Sequence, residues 1–486
     1  MSDKEQLLIQ KADEEVRKYK DLVEQDPYRL RYHLMPPVGL LNDPNGLIQF
    51  KGLYHVFYQW NPFELAHGAK YWGHYTSKDM IHWEAQPVAL APSEWYEKNG
   101  CYSGSAVESA GKLYLFYTGN VKRADGGRET YQCLAVSSDG MKFEKYGPVI
   151  KLPEGYTAHF RDPKVWKKGD VWYMVLGAQT LSEKGAIVLY CSKDLYQWTK
   201  VGRIAGAEMN GLVDFGYMWE CPDLIRLNGK DILLTSPQGL EPSGYLYHNI
   251  FQSGYFVGEL DYKSPRFQHG PFGELDRGFD FYAPQTFLDN SGRTIMYGWM
   301  GITNESEAYQ PTKSHRWLHA LTIPRELTLR NGKVYQTPVK ELIVLRNNQV
   351  SIPNLVIDDE KGLQAQVDGD CLEMILDSIR MSGNQLCINF RNEAMFTFDQ
   401  EKKEASLQRR NVRTHEMETR TCKLNSLKKL QIFMDTSSIE IFINEGEETF
   451  TARYFPKQKE KQIIFIGKAQ FDLMKWNLLK SSQSFK

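Results

Sequence analysis

A strand-rich unit of about sixty residues recurs five times in this chain and limits what the chain can fold into. Each unit has a glycine-containing turn followed by β-forming residues, as in KGLYHVFYQ from Lys51 and GKLYLFYTG from Gly111. The turn glycines, at spacings of 59, 58, 60 and 63 residues, are Gly52, Gly111, Gly169, Gly229 and Gly292. One unit cannot bury both faces of its sheet, whereas five units around an axis can. The repeat therefore predicts an all-β chain with a five-bladed β-propeller over residues 28–335.

The segments on either side of the repeat have different patterns. Residues 1–27 carry one apolar stripe, which predicts an amphipathic N-terminal helix that packs on the body of the protein or on a neighbour. Residues 336–349 predict a short helical linker. In residues 350–486, stretches such as KKLQIFMD and IEIFIN alternate apolar and polar residues, as half-buried antiparallel strands do. We expect this region to form a separate C-terminal β-sandwich. Its exposed edge strands could serve as the interface of a homodimer.

The composition argues against several classes of protein. Apolar residues make up 42% of the chain and charged residues 24%, which is typical of a globular protein. With a net charge of -1 the composition requires no broad basic face, so we expect no nucleic-acid partner. No stretch approaches the ~20 apolar residues that a membrane span needs. The seven cysteines form no CxxC pair and the first residues contain no apolar signal core, so we predict a cytoplasmic protein without a zinc site.

Three acidic residues stand just before inner strands of the predicted blades, each followed by a proline or by a Cys-Pro pair. They are Asp43 in NDPNG, Asp162 in RDPK and Glu220 in WECPD, at nine, seven and nine residues before their turn glycines. Because such positions meet at one mouth of a propeller axis, we expect the three carboxylates to converge there. NDPNG has the composition of a tight turn that would aim Asp43 into this mouth. Solvated loop acids or a cation site are the alternatives.

Clustered carboxylates suit the cleavage of a glycosidic bond, which needs one ionised and one protonated acid. The apolar neighbours of Glu220 predict a raised pKa and an acid/base role. Asp43, in a turn with backbone donors, is predicted to stay ionised and to act as the nucleophile. The preceding Arg161 is predicted to keep Asp162 ionised, so that this acid holds sugar hydroxyls and stabilises developing positive charge.

Five motifs in order together resemble glycoside hydrolase family 32, the invertase and fructosidase family. They are LNDPNG at Leu41, YSGS at Tyr102, FRDP at Phe160, WECPD at Trp219 and FYAPQTF at Phe281. The resemblance implies a five-bladed propeller plus β-sandwich and retaining hydrolysis of a terminal β-fructofuranosyl bond, with no metal and no other cofactor. It implies Asp43 as nucleophile, Glu220 as acid/base and Asp162 as transition-state stabiliser.

The same resemblance gives a set of residues that contact the sugar. The matching positions that hold the fructosyl unit are Asn42, Gln59, Ser103, Arg161 and Trp299. Tyr102 and Tyr282 are added because they lie in two of the matching motifs. Trp60 is a further candidate, although an inward aromatic residue at that point could simply belong to the core.

One departure from the family pattern bears on the substrate. The segment NPFELAHGAKYWGH has His67 where many invertases carry a tryptophan, and its HG-KYW form resembles the bacterial branch that acts on sucrose 6-phosphate inside the cell. His67 and Lys70 could supply positive charge for a phosphate, or could be a sugar contact and a rim lysine. We therefore predict a retaining β-fructofuranosidase for sucrose 6-phosphate or sucrose. Alternatives are a kestose-type β-fructosidase, a sugar-binding propeller without catalysis, and an inverting glycosidase for arabinan or xylan.

Overall fold

The computed structural model describes residues 2–362, 364–481, 483 and 484, and most of them lie in β-strands. The α-helices among these residues are α1 (Asp3–Glu24) and the short α2 (Gln364–Val367). The 3-10 turns are Trp95–Glu97, Glu305–Tyr309, Pro311–His315 and Lys340–Leu345. Within the described residues, no helix is both long and apolar enough to cross a membrane.

Five antiparallel sheets form the blades of a propeller, each numbered here from the axis outward. Blade 1 contains β1 (Gly39–Phe50), β2 (Leu53–Asn61), β3 (Tyr71–Ser77) and β4 (Trp83–Leu90). Blade 2 contains β5 (Cys101–Ser109), β6 (Lys112–Lys122), β7 (Arg128–Ser137) and β8 (Glu144–Lys151). Blade 3 contains β9 (Tyr156–Lys168), β10 (Val171–Thr180), β11 (Gly185–Ser192) and β12 (Thr199–Gly206).

The last two blades complete the ring. Blade 4 contains β13 (Met218–Leu227), β14 (Lys230–Gln238), β15 (Gly254–Asp261) and β16 (Arg266–Glu274). Blade 5 contains β17 (Tyr282–Leu288), β18 (Thr294–Met300), the two-residue strand β20 (Ala320–Leu321), β21 (Arg325–Arg330) and β22 (Lys333–Pro338), and the two-residue strand β19 (Trp317–Leu318), which precedes β20, belongs to the sheet of blade 1. β19 runs parallel to β1, with Trp317 opposite Gly39, and so ties the last blade to the first. The predicted five-bladed propeller is confirmed.

The inner strand of every blade contains a β-bulge at the same end of the axis. The ladder shifts register between Leu41 and Pro44, Tyr102 and Gly104, Arg161 and Lys164, Glu220 and Asp223, and Tyr282 and Gln285. The residue before proline has a positive φ in three of these bulges: 65° at Asp162, 47° at Cys221 and 47° at Ala283. Proline is accepted there because a bulge needs no ladder N–H. NDPNG is therefore a bulged part of β1, and its prediction as a tight turn was wrong.

A second sheet of nine strands follows the propeller. Its strands are β23 (Arg346–Gly362), β24 (Leu372–Phe390), β25 (Ala394–Asp399), β26 (Glu404–Arg410), β27 (Met417–Lys423), β28 (Leu430–Asp435), β29 (Ser438–Ile443), β30 (Glu448–Arg453) and β31 (Ile463–Leu478), and a final β32 (Gln483–Ser484) pairs with β4. The first half of β24 pairs with β28 and its second half with β25, so the sheet folds over a shared apolar core. The β-sandwich is confirmed. The fifth blade ends at Pro338 and β23 begins at Arg346. The domain boundaries near residues 335 and 350 stay a prediction.

Helix α1 packs on the propeller along its apolar stripe. Ala12 and Val23 are buried in the cluster that joins blades 1 and 5, and Leu8, Val16 and Tyr19 pack against the same cluster. The Ser2 hydroxyl caps the helix by accepting from the Glu5 backbone N–H at 3.3 Å.

A buried arginine joins the propeller to the sandwich. Arg325 on β21 is fully buried and donates from Nη1 to Asp276 Oδ2 at 3.0 Å, and from Nη2 to Glu440 Oε2 and Thr451 Oγ1 at 2.6 Å each. The Glu440 carboxylate also bonds His33 Nε2 at 2.9 Å. Burial alone would raise the pKa of Glu440, but Arg325 and His33 hold it below its usual value. Arg325 and Glu440 thus depend on each other across the boundary between the two domains.

We predict that Arg325→Ala destabilises the protein strongly. It leaves the Asp276 and Glu440 carboxylates buried without their counter-ion, which costs about 3–5 kcal/mol. Urea denaturation followed by tryptophan fluorescence measures the loss. Arg330→Ala is the matched control, because the pair of Arg330 with Glu445 is exposed at the surface and contributes at most about 1 kcal/mol. Equal losses in the two variants would contradict the prediction.

Candidate active site

The structure brings Asp43, Asp162 and Glu220 together at one end of the propeller axis. Cys221 Sγ lies 3.9 Å from Asp43 Oδ2 and 3.7 Å from Asp162 Oδ2. Arg161 Nε lies 3.9 Å from Asp162 Oδ2 and 3.0 Å from Glu220 Oε1. The three carboxylates therefore share one set of neighbours, as the repeat predicted.

The three acids do not occupy one repeat position, however. Asp43 and Asp162 directly precede a proline, and the residue at that point in blade 4 is Cys221. Glu220 lies one residue earlier, where blade 3 has Arg161. Counting back from the turn glycines missed this offset because β1 contains a second register shift, between Asn45 and Ile48. Both aspartates thus lie one residue further along their strands than the glutamate does. We call the position of the aspartates the inner level of the site and the position of Glu220 the outer level.

Asp43 is held by side chains from two blades. Its Oδ2 accepts a hydrogen bond from Ser103 Oγ at 2.5 Å, and its Oδ1 accepts one from Asn42 Nδ2 at 3.1 Å. Burial raises the pKa of Asp43, the Ser103 hydroxyl offsets part of this rise, and the charge of Glu220 adds to it. The predicted backbone donors to Asp43 are not found among the described hydrogen bonds, because the segment is strand and not turn.

Asp162 is the most constrained of the three acids. Its backbone has a positive φ, its N–H donates to Thr118 Oγ1 at 3.0 Å, and its Oδ2 accepts from the Cys221 N–H at 3.0 Å. Burial raises the pKa of Asp162 more than Arg161 lowers it. The prediction that Arg161 keeps this acid ionised was wrong, since the guanidinium points at Glu220.

Glu220 has the strongest partners. Its Oε1 accepts from Arg161 Nε at 3.0 Å and Nη2 at 2.6 Å, and its Oε2 accepts from Tyr282 Oη at 2.6 Å and Gln238 Nε2 at 2.7 Å. Burial would raise the pKa of Glu220, but these partners lower it. The predicted raised pKa was wrong because residues next to Glu220, such as Trp219, point away along the strand. Trp219 instead donates to the Phe215 carbonyl at 2.7 Å.

A cavity of about 220 Å³ opens above the carboxylates. Nine of the ten predicted sugar-binding residues line it: Asn42, Gln59, His67, Lys70, Tyr102, Ser103, Arg161, Tyr282 and Trp299. Trp60 does not line the cavity, and its indole N–H donates to the Val38 carbonyl inside the core at 2.7 Å. Side chains alternate along β2, so Gln59 faces the cavity and Trp60 faces away from it.

His67 and Lys70 lie on the blade 1 wall of this cavity. His67 Nε2 is 3.1 Å from Glu307 Oε1, and Lys70 Nζ is 3.4 Å from His67 Nδ1. Lys70 is buried, and this burial lowers its pKa to about 7. His67 thus already contacts a carboxylate, and Lys70 is not a permanently charged group exposed at the rim of the cavity.

Comparisons with known proteins agree with this geometry. The sequence model described as Glycosyl hydrolases family 32 N-terminal domain matches residues 33–338, and the one described as Glycosyl hydrolases family 32 C terminal matches residues 341–475. The chain belongs to glycosyl hydrolase family 32.

Three relatives illustrate this membership of family 32. A sucrose-6-phosphate hydrolase of Bacillus subtilis (strain 168) is 50% identical over 481 residues, covering 99% of this chain and 100% of the relative. The structure of a Lactobacillus gasseri sucrose-6-phosphate hydrolase matches with a TM-score of 0.86 and 31% identity, covering 96% of each chain. A Bombyx mori family 32 beta-fructofuranosidase variant, solved in complex with sucrose, matches with a TM-score of 0.85 and 33% identity, covering 98% of this chain and 99% of that one.

Several residues that line this family 32 cavity were not predicted from the sequence. They are Gly68, Lys122, Arg128, Gln238, Phe251 and Thr303. Gln238 could have been found, because it ends β14 directly beside the strand that carries Glu220. Lys122 and Arg128 lie at the ends of a blade 2 hairpin with no motif of its own, and only the arrangement of the blades brings them to the cavity.

We predict that Asp162→Asn stabilises this family 32 fold at neutral pH. A buried carboxyl whose pKa is raised on folding, here from 3.8 to about 7, contributes stability that is fully present below the unfolded pKa and is lost as the pH rises to the folded pKa. Removing the charge should therefore raise the unfolding free energy by about 1–2 kcal/mol at pH 7, with a smaller gain at pH 5. Thermal denaturation at several pH values measures the effect.

The matched control for this prediction is Asp223→Asn, on the inner strand of blade 4. Asp223 Oδ2 accepts from Lys164 Nζ at 3.0 Å and from the Thr286 N–H at 2.7 Å, so its charge has a buried partner. We expect this substitution to lower the melting temperature. A loss of stability in Asp162→Asn as large as in the control would refute the electrostatic account.

Proposed function

We propose that this protein hydrolyses the β-fructofuranosyl bond of sucrose 6-phosphate, and also that of sucrose, with retention at the anomeric carbon. The observation that carries this proposal is the placement of two carboxylates in different environments around one cavity, Asp43 at the inner level and Glu220 at the outer. Family 32 membership and the named relatives support the substrate. Incubation with each sugar tests it, since retention releases β-fructose first.

In the first step, Asp43 attacks the anomeric carbon of the fructosyl unit and forms a covalent ester with it. Glu220, in its protonated form, donates a proton to the glycosidic oxygen, which leaves on the departing sugar; the form of the protein that reacts is therefore the one with Asp43 ionised and Glu220 protonated. Ser103 Oγ, at 2.5 Å, orients the Asp43 carboxylate for this attack. The positive charge that develops on the ring lies among the carboxylates of the inner level, which stabilise it.

In the second step, Glu220 takes a proton from water, and the resulting hydroxide displaces Asp43 from the anomeric carbon. Fructose leaves, and both carboxyls return to their starting states. Arg161 holds Glu220 through two hydrogen bonds and keeps it aimed at the bond to be cut. Asp162, held by the Cys221 N–H at 3.0 Å, is placed to accept hydrogen bonds from furanose hydroxyls.

We propose that the protein works in the cytoplasm, where a phosphorylated disaccharide is available. All seven cysteines lie in the described part of the chain and are free thiols, five of them buried. This fits a reducing compartment, in which disulfides are rare. The homodimer that the sequence left open stays a prediction, as does the kestose-type alternative.

Glu220→Gln should separate catalysis from binding. The amide keeps the shape of the side chain but cannot donate a proton to the leaving oxygen, so kcat for sucrose should fall by about 10²–10⁴-fold. Sucrose binding, measured by titration calorimetry, should change little. Glu259→Gln, an exposed position on the same blade, is the matched control and should keep its kcat. A sugar-binding propeller without catalysis predicts no turnover even in the unmodified protein.

Tyr282→Phe should shift the pH profile of kcat/KM for sucrose. The Tyr282 hydroxyl stabilises the Glu220 carboxylate at 2.6 Å, so its removal raises the pKa of Glu220. The limb of the profile that Glu220 governs should move to higher pH by up to about one unit. Tyr102→Phe removes a hydroxyl from the same cavity that is not bonded to Glu220, and should leave both limbs in place. A shift to lower pH in Tyr282→Phe would count against the assignment.

A further inference from the structure

Two cations of blade 2 face each other at the rim of the active-site cavity. Lys122 ends β6, Arg128 begins β7, and the two residues are directly opposite in the antiparallel ladder. Directly opposite side chains lie on the same face of a sheet, and both of these line the cavity.

Neither cation forms an ion pair with a carboxylate among the described residues. The acids of the same hairpin, Asp125 and Glu129, pair with Arg123 instead, at 3.2 and 3.7 Å. Like charges that face each other across a ladder destabilise it. The pair of Lys122 and Arg128 is therefore unfavourable unless an anion lies between them.

These cations share the cavity with the group that protonates the leaving oxygen, since Lys122, Arg128 and Glu220 all line it. Burial and the charges of Arg161 and Arg128 lower the pKa of His159 to about 4. His159 Nδ1 accepts from Arg161 Nη1 at 2.8 Å, and Arg161 in turn holds Glu220. Arg161 lies on blade 3, which adjoins blade 2, so a sugar that leaves from Glu220 can reach the cations of blade 2.

The blade 1 wall of the cavity is a poor site for an anion. Glu307 Oε1 lies 3.1 Å from His67 Nε2 and 2.6 Å from His319 Nε2, so both imidazoles already face a carboxylate. Lys70 is buried beneath them beside Asp43. A second anion on this wall would meet the charges of Glu307 and Asp43. This counts against His67 and Lys70 as the phosphate ligands that the sequence suggested.

We propose that Lys122 and Arg128 form a subsite that binds the phosphate group of a phosphorylated leaving sugar. This inference rests on the proposed function and deepens it by naming what selects the phosphorylated substrate. A phosphate near its second ionisation carries up to two negative charges and three acceptor oxygens, which match one ammonium and one guanidinium.

The test compares kcat/KM for sucrose 6-phosphate with kcat/KM for sucrose in Lys122→Met, Arg128→Met and the double variant. The ratio of the two constants should fall about tenfold or more in each single variant and about 100-fold in the double variant, because charge-assisted bonds to phosphate are lost. Arg123→Met removes a cation of the same hairpin that does not line the cavity, and should keep the ratio within about twofold. A ratio that stays constant in the double variant, or falls in His67→Gln instead, overturns the proposal.

A binding measurement separates this proposal from the proposed function. Titration calorimetry with glucose 6-phosphate should give a much higher affinity than with glucose, and the double variant should lose this difference. If the unmodified protein hydrolyses neither sugar, the proposed function fails, and the calorimetry still decides the phosphate subsite. Equal affinities for the two ligands in the unmodified protein would refute the subsite alone.

Discussion

The active site depends on a β-bulge in the inner strand of each blade. In a regular strand, adjacent side chains face opposite sides, so each blade could offer the axis only one residue of any neighbouring pair. The bulge lets both members of a pair line the cavity, as Asn42 and Asp43 do in blade 1 and Arg161 and Asp162 do in blade 3. The positive φ at Asp162 shows that the backbone accepts strain for this purpose, of the order of 1–3 kcal/mol per residue. The two levels of the site follow from this backbone geometry.

The unequal state of the carboxylates arises from contacts between blades. Glu220 on blade 4 receives its hydrogen bonds from Arg161 on blade 3 and Tyr282 on blade 5, which lower its pKa. Asp43 has one hydroxyl and one amide as donors, and burial raises its pKa. Burial raises the pKa of both acids, so burial alone cannot distinguish them. The number and charge of the donors that neighbouring blades supply make the difference.

The sequence predicted the architecture well and the electrostatics poorly, for one physical reason. A repeat of sixty residues with turn glycines reflects backbone requirements that every blade shares. It can therefore be recognised in the sequence without knowing which residues pack around each blade. The environment of Glu220 depends on residues far away in the chain, and the flanking Trp219 turns out to face Phe215. Counting from the turn glycines found the right acids but the wrong register, since a bulge adds a residue without a local signature. The same limit explains why Trp60 was included and Arg128 was missed.

The contact between the two domains limits which changes of sequence such a chain can tolerate. The Arg325 guanidinium has four hydrogen-bond acceptors, of which Asp276 and Gln336 belong to the propeller, and Glu440 and Thr451 to the sandwich. A propeller produced without the sandwich would expose this cation with half of its partners missing, beside an uncovered apolar surface. The sandwich is thus not a detachable module, and exchanging it for that of a relative would require the matching acid to arrive with it. Rim hairpins such as the one between β6 and β7 lie outside this contact, so substrate preference can diverge there while the joint between the domains stays fixed.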